Sequence, residues 1–76
     1  MSRIAVVGAG YVGLTTAACL ADLGNDLSVV DIDEAKVRGL RRHRLPFYEP
    51  GLQEMVERNA RAGRLRFTTS YPEAIH

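Results

Sequence analysis

The sequence has one cysteine, Cys19, no tryptophan and only two histidines, one of which is the final residue, His76. A lone thiol cannot close an internal disulfide. A disulfide scaffold and a C-x-x-C metal site are therefore both excluded, and so few histidines leave little for a metal centre. Neither sign of charge is in excess: ten Lys and Arg face nine Asp and Glu, for a net charge of +1. That balance carries no polyanion-binding signature, so nucleic acid is not an expected partner. No apolar run approaches the roughly 18 residues that a spanning helix needs, so no membrane partner is expected either. The stretch Ile4–Leu14 behind Arg3 has the outline of an export signal, but three glycines and Tyr11 interrupt it. The default compartment is then the cytoplasm, which suits a single reduced thiol. Length is also scarce. A chain of 76 residues holds one small core and would bury only about 60% of its unfolded surface. With 46% hydrophobic and 25% charged residues it is nonetheless globular in composition and not disordered.

What is present is well patterned. Ile4-Ala5-Val6-Val7 is a short apolar run rich in β-branched residues, which predicts a strand buried on both faces. From Val12 to Leu23 the period changes. Leu14, Ala17, Ala18 and Ala21 fall at i, i+3, i+4 and i+7, a helix with a small-residue face able to lie close to a sheet, and Gly24 ends it. Asp26–Asp31 contains Leu27, Val29 and Val30, a second strand, and the three pieces make a βαβ unit. Asp33 caps a second helix running to about Arg42, with Val37 and Leu40 inward and a basic last turn leading into His43 and Arg44. Leu45-Pro46-Phe47-Tyr48-Glu49-Pro50 is a loop, and Pro50 suits the first turn of a third helix. That helix carries the stripe Leu52, Met55, Val56 and Ala60, the outer pairs Glu54–Arg58 and Glu57–Arg61, and a stop at Gly63. Leu65–Thr69 predicts a third strand, and Ser70-Tyr71-Pro72-Glu73 is a capping box that opens a last helix through Ala74, Ile75 and His76.

Gly8-Ala9-Gly10-Tyr11-Val12-Gly13 is G-x-G-x-x-G. The pattern alone is weak, because glycines recur in ordinary turns. Here a strand precedes it, a helix follows it, the unit spans about 30 residues, and an acid, Asp31, ends the second strand. In that context each residue has a task in binding a dinucleotide. Gly8 permits the tight turn, Gly10 lets backbone approach a pyrophosphate, and Gly13 lets the helix pack on the strand. The free N–H groups of the helix's first turn hold the phosphates, and Tyr11, inside the turn, covers the cofactor or packs the loop. Asp31 accepts hydrogen bonds from the adenosine ribose and repels a 2′-phosphate, which favours NAD over NADP. Asp33 competes for that role but is better placed as a helix cap. Cys19 lies about two turns into the helix and reads as a packing thiol, and His43 as a solvated side chain.

Almost the whole chain resembles the N-terminal segment of the UDP-glucose/GDP-mannose dehydrogenase family. The resemblance rests on Ile4-Ala5-Val6-Val7-Gly8-Ala9-Gly10-Tyr11-Val12-Gly13-Leu14, on Val30-Asp31-Ile32-Asp33 with Lys36-Val37, and above all on Leu45-Pro46-Phe47-Tyr48-Glu49-Pro50-Gly51-Leu52. Tyr48 before Glu49 leans toward the UDP-glucose branch over the GDP-mannose branch, with GDP-mannose or another nucleotide sugar as the alternative substrate. The resemblance implies oxidation of a nucleotide-sugar alcohol to a carboxylate, UDP-glucose to UDP-glucuronate, with two NAD. It also implies a homo-oligomeric parent, and it places Val12 with Gly8, Gly10 and Gly13 along the pyrophosphate and Lys36 at the adenosine edge. The family's catalytic cysteine and sugar-binding domain lie far downstream; Cys19 does not match that cysteine, so no catalytic residue is expected here.

The expected fold is α/β: the N-terminal half of a Rossmann NAD-binding domain, truncated, in the order β-α-β-α-α-β with a parallel sheet of order 3-2-1. Residues 1–76 would then be part of one domain, inactive alone, with an open apolar edge at Ile4–Val7 that invites self-association. Two other readings compete. A regulatory NAD-binding module shares the glycine turn, but the Pro46–Leu52 loop is foreign to it. A truncated product with no function of its own is the other.

Overall fold

The computed structural model describes residues 2–75, the side chain of Ile75 excepted. The last helical position expected from the sequence, His76, lies outside them. The elements run β1 (Arg3–Val7), α1 (Tyr11–Asp22), β2 (Asp26–Val30), α2 (Glu34–Arg41), α3 (Leu52–Arg61), β3 (Leu65–Thr68) and α4 (Tyr71–Ile75). The three strands form one parallel sheet in the order β1-β2-β3, with β2 central. Val7 pairs with Val30 and Val30 with Thr68, so the C-terminal ends of all three strands finish level. Among the described residues no helix is long and apolar enough to cross a membrane.

Strand alternation sorts the core. Ile4, Val6, Leu27, Val29, Leu65 and Phe67 share one face and pack against Leu14, Ala17, Ala18 and Ala21 of α1, Val37 and Leu40 of α2, and Leu52 and Val56 of α3. Each fully buried Leu or Val there contributes about 1.5–3 kcal/mol. Alanines on α1 let that helix lie close over β1 and β2. The opposite face is sparsely covered. α4 lies against part of it, where Ala74 and Val30 are both buried, and Arg66 reaches Ser28 Oγ at 3.3 Å.

β1 is therefore not buried on both faces. Ala5 is exposed and Val7 is 62% exposed, because only one layer of helices lies on this edge of the sheet. Three further expectations are corrected. Pro50 precedes α3, and it is Gly51 that stands at the N-cap. Pro50 and Gly51 are the middle of a turn closed by Leu52 N–H to Glu49 O at 3.1 Å, and the +86° φ of Gly51 is what a type II turn requires. The stripe of α3 also includes Asn59, which is fully buried, whereas Met55 and Ala60 are half-buried. Lastly, Arg58 reaches across to Asp22 at 2.7 Å instead of pairing with Glu54, while Glu57–Arg61 forms as expected at 2.9 Å.

Asn59 shows how a buried amide is accommodated. Its Nδ2 donates to Asp22 Oδ1 at 3.0 Å and to Met55 O at 2.8 Å, and its Oδ1 accepts from Arg64 Nε at 2.9 Å. All its polar atoms are partnered, so burial costs little. The network ties the C-terminal end of α1 to α3 and to the entrance of β3.

Three helices end alike. After α1, Gly24 and Asn25 donate to Ala21 O and Leu20 O. After α2, His43 and Arg44 donate to Leu40 O and Gly39 O. After α3, Gly63 and Arg64 donate to Ala60 O and Asn59 O. This paired 5→2 and 6→1 pattern is the Schellman motif, which needs a left-handed residue. Gly24 (φ +104°) and Gly63 (φ +80°) supply it without strain, but the α2 motif places His43 at φ +62°. A β-carbon in that region costs about 1–2 kcal/mol. His43 is thus half-buried and backbone-strained, not simply solvated. We expect His43→Gly to stabilise the fold by about 1 kcal/mol, net of glycine's entropy. Thermal melts of the two proteins should differ by about 4–8 °C. A lower or equal melting temperature for the variant would contradict this account of the α2 terminus.

Candidate site at the glycine turn

The site forms where β1 hands over to α1. Gly8 stands at φ +96° and donates to Val30 O at 2.6 Å, so the turn begins while still anchored to β2. Gly13 sits one turn into α1. A β-carbon there would lie 2.3 Å from the carbonyl oxygen of Gly8, which is backbone and cannot yield. The missing side chain is what lets α1 descend onto the end of β1. Gly10 differs again: its φ is an ordinary −75°, and a β-carbon would meet nothing within 4 Å. Neither turn geometry nor packing requires glycine at this position. The absent side chain leaves open space in front of the helix.

Gly10 is the N-cap of α1 and makes no side-chain cap bond, and the first turn of α1 carries no acidic residue. Its N–H groups and the positive end of the helix dipole are left to an external partner. A phosphate is the partner such an end suits best. The residues at this turn fit a dinucleotide's pyrophosphate on that observation. Val12 is 75% exposed and Tyr11 51%, so both border the opening; the Tyr11 ring makes an edge-to-face contact with Phe47, centroids 5.2 Å apart.

Asp31 follows β2 directly. Its Oδ2 accepts from Ala9 N–H at 2.8 Å and its Oδ1 from Asp33 N–H at 2.9 Å. These two bonds, and Lys36 to a smaller extent, hold its carboxyl below the ordinary value of 3.8. The side chain is only 12% exposed, and Lys36 Nζ lies 3.5 Å from Oδ2. Oδ2 thus has two partners, Ala9 N–H and Lys36, while Oδ1 has one, Asp33 N–H, and keeps a second acceptor direction. Asp33 caps α2 by accepting from Lys36 N–H at 3.0 Å, which separates the two acids by role. The turn residues, Asp31 and Lys36 thus gather at one end of the sheet. Ala9 and Phe47 were not singled out from the sequence. Ala9 acts through its backbone N–H, to which any residue type is equivalent, and Phe47 makes its contact across 36 positions of chain.

Cys19 is exposed, on the outer side of α1, and so is not a packing thiol. Its neighbours Ala17 and Ala18 take the inward positions. No group of His, Cys, Asp or Glu able to hold a metal occurs among the described residues. A cavity of about 400 Å³ opens along β3, lined by residues such as Leu40, Arg41 and Phe67, but no residue of the glycine turn borders it.

Residues 2–76 match the NAD binding domain of the UDP-glucose/GDP-mannose dehydrogenase family. The chain belongs to that family. NAD is the cofactor of the matched domain. The chain is 49% identical over 75 residues to the UDP-glucose 6-dehydrogenase TuaD of Bacillus subtilis, covering 99% of this chain and 16% of that protein. Against the GDP-mannose 6-dehydrogenase of Pseudomonas savastanoi pv. phaseolicola identity is 41%, over 96% of this chain and 17% of that one. Among solved structures, a ternary complex of GDP-mannose dehydrogenase from Pseudomonas aeruginosa superposes with a TM-score of 0.90 at 34% identity, covering 96% of this chain and 17% of that one. A UDP-glucose dehydrogenase from Pyrobaculum islandicum gives 0.88 at 40% identity, over 97% and 17%. The chain thus spans about a sixth of the length of the family members it matches.

The Asp31 bonds make a pH dependence. A carboxylate whose folded pKa is depressed adds stability that is fully present above its unfolded value, near 3.8, and is lost as pH falls through the lower folded value. Unfolding followed against pH should therefore show stability falling below about pH 4. Asp31→Asn should flatten that fall. An unchanged acid limb in the variant would mean that the two backbone bonds do not hold the carboxylate.

Proposed function

We propose that this chain is the cofactor-binding head of a nucleotide-sugar dehydrogenase that oxidises UDP-glucose to UDP-glucuronate with two NAD. The observation that carries the cofactor part is the combination at the turn: an uncapped helix start, open space at Gly10 and an acid at the end of β2. The substrate part rests on the relatives, of which the UDP-glucose 6-dehydrogenases include one at 49% identity. GDP-mannose is the alternative substrate, since GDP-mannose 6-dehydrogenases match at 41%. In this reading residues 1–76 are part of one NAD-binding domain, and the sugar-binding and catalytic parts belong to the rest of a longer protein. A homo-oligomeric, cytoplasmic parent completes the proposal.

NAD supplies the hydride acceptor when bound; everything this chain does is binding and orientation. Gly8 turns the backbone so that the first N–H groups of α1 converge on the phosphates. Gly10 leaves room for them, and Gly13 seats the helix. Tyr11 and Val12 flank the pyrophosphate. The second acceptor direction of Asp31 Oδ1 takes an adenosine ribose hydroxyl, and the carboxylate's charge disfavours a 2′-phosphate. Lys36 neutralises part of that charge and borders the adenosine. No nucleophile is assigned within these residues: Cys19 faces away from the core, about two turns from the turn glycines.

Gly10→Ala separates binding from folding. Because its φ is ordinary and its β-carbon meets nothing, the variant should lose no more than the roughly 1 kcal/mol by which alanine is a poorer N-cap than glycine, melting at most about 4–8 °C below the parent sequence and still cooperatively. Its NAD affinity, read by calorimetric titration, should fall at least about tenfold, since the methyl occupies the phosphate's approach. NADP should bind more weakly than NAD, and Asp31→Ala should narrow that ratio. Equal NAD affinity in Gly10→Ala, or NADP binding as tight as NAD before any substitution, would sink the assignment.

A further inference from the structure

The loop between α2 and α3 is built as a braced arm. The Gln53 side-chain amide donates to His43 O across its base, and Leu52 N–H closes a turn onto Glu49 O. Pro46 and Pro50 fix two of its backbone angles. Leu45 and Phe47 anchor it by packing, half-buried, against the main core. The arm then delivers the Phe47 ring to Tyr11, at 5.2 Å between centroids and 61° between planes.

Tyr11 is the first residue of α1, next to the N-cap Gly10. Inside a helix the preceding turn restricts where a side chain points. At the first position there is no preceding turn, so the ring's direction must be set from outside. The ring is half exposed and borders the opening at Gly10, where a β-carbon would meet nothing. An unheld ring there would be free to swing across the helix mouth. The edge-to-face contact removes that freedom, and its brace runs through residues 43–53 rather than through the turn itself.

We propose that Phe47 is a positioning residue for NAD binding: it holds the Tyr11 ring clear of the phosphate approach and at a fixed place beside it. The inference rests on the reading of the glycine turn as the NAD site. It makes the α2–α3 loop a determinant of cofactor affinity, although no residue of that loop belongs to the glycine turn.

The test is a double-mutant cycle with Phe47→Leu and Tyr11→Leu on the full chain, titrated with NAD. The χ1 populations of Tyr11 without ligand are read by NMR in parallel, and Phe47→Tyr serves as the variant that keeps a ring. We expect Phe47→Leu to spread Tyr11 over several rotamers and to weaken NAD about threefold to tenfold, the range an aromatic pair supports. Phe47→Tyr should restore both. The double variant should bind no more weakly than Tyr11→Leu alone, because the two residues act as one unit. Additive losses overturn the proposal and leave the NAD reading in place. So does a Phe47→Leu variant that melts lower yet keeps the Tyr11 rotamer and NAD affinity, which would make Phe47 a packing residue only. If the unsubstituted chain does not bind NAD, the site reading itself falls and takes this inference with it.

Discussion

The carboxylate of Asp31 accepts one backbone N–H from the glycine turn and another from the start of α2. Most of the ligand end of the molecule depends on that double acceptance. Ala9 belongs to a segment with a left-handed glycine before it and a helix start after it, and its side chain is buried in the core. Asp33 begins the cap of α2. Joining both to one side chain at the tip of β2 fixes the turn relative to the sheet and α2 relative to the turn. A residue that serves a ligand's ribose hydroxyls must be in place before the ligand arrives, or binding must supply the ordering. Here the protein's own backbone does it.

The second constraint is steric. α1 descends onto β1 because residue 13 has no β-carbon to strike Gly8 O, and the alanines further along let it stay close. The helix start consequently lies level with the ends of three strands that finish in register. The three glycines of the motif are therefore not interchangeable. Gly8 is required by its dihedral angle, Gly13 by a clash, and Gly10 by nothing within the protein. A glycine that neither backbone nor packing demands points to something outside the chain, and this separates a binding turn from an ordinary one.

Much of this was legible in the sequence, and the reason is local. The turn, the Ala-rich face of α1, the acid after β2 and the Asp33 cap each follow from residues within a few positions of one another. The errors share the opposite cause. The α3 stripe read from the sequence omits Asn59, because its partners Asp22 and Arg64 come together only once α1, α3 and β3 have packed. Cys19 looked like core because cysteine usually is, but the inward positions of α1 were already taken by smaller alanines. β1 reads as doubly buried by composition, yet its second face has little laid over it. The capping box was half right. Ser70 Oγ accepts from Glu73 N–H at 3.4 Å, but the Glu73 carboxylate accepts from Thr68 Oγ1 at 2.5 Å, and that same oxygen takes the Ser70 N–H at 3.0 Å. A neighbouring strand end supplied a better partner than the motif's own.

His43 joins these threads. α2 must stop by the same hydrogen-bond pattern as α1 and α3, and the left-handed residue it needs is a histidine where they have glycine. The strain falls at the root of the arm that carries Phe47 to Tyr11, and the carbonyl of that same residue receives the Gln53 brace. A strained residue persists only when its surroundings over-determine it. The Schellman bonds on one side and the Gln53 bond on the other do so here. The arm's direction is thus set by the end of α2, and the same root that costs stability aims the loop at Tyr11 beside the glycine turn.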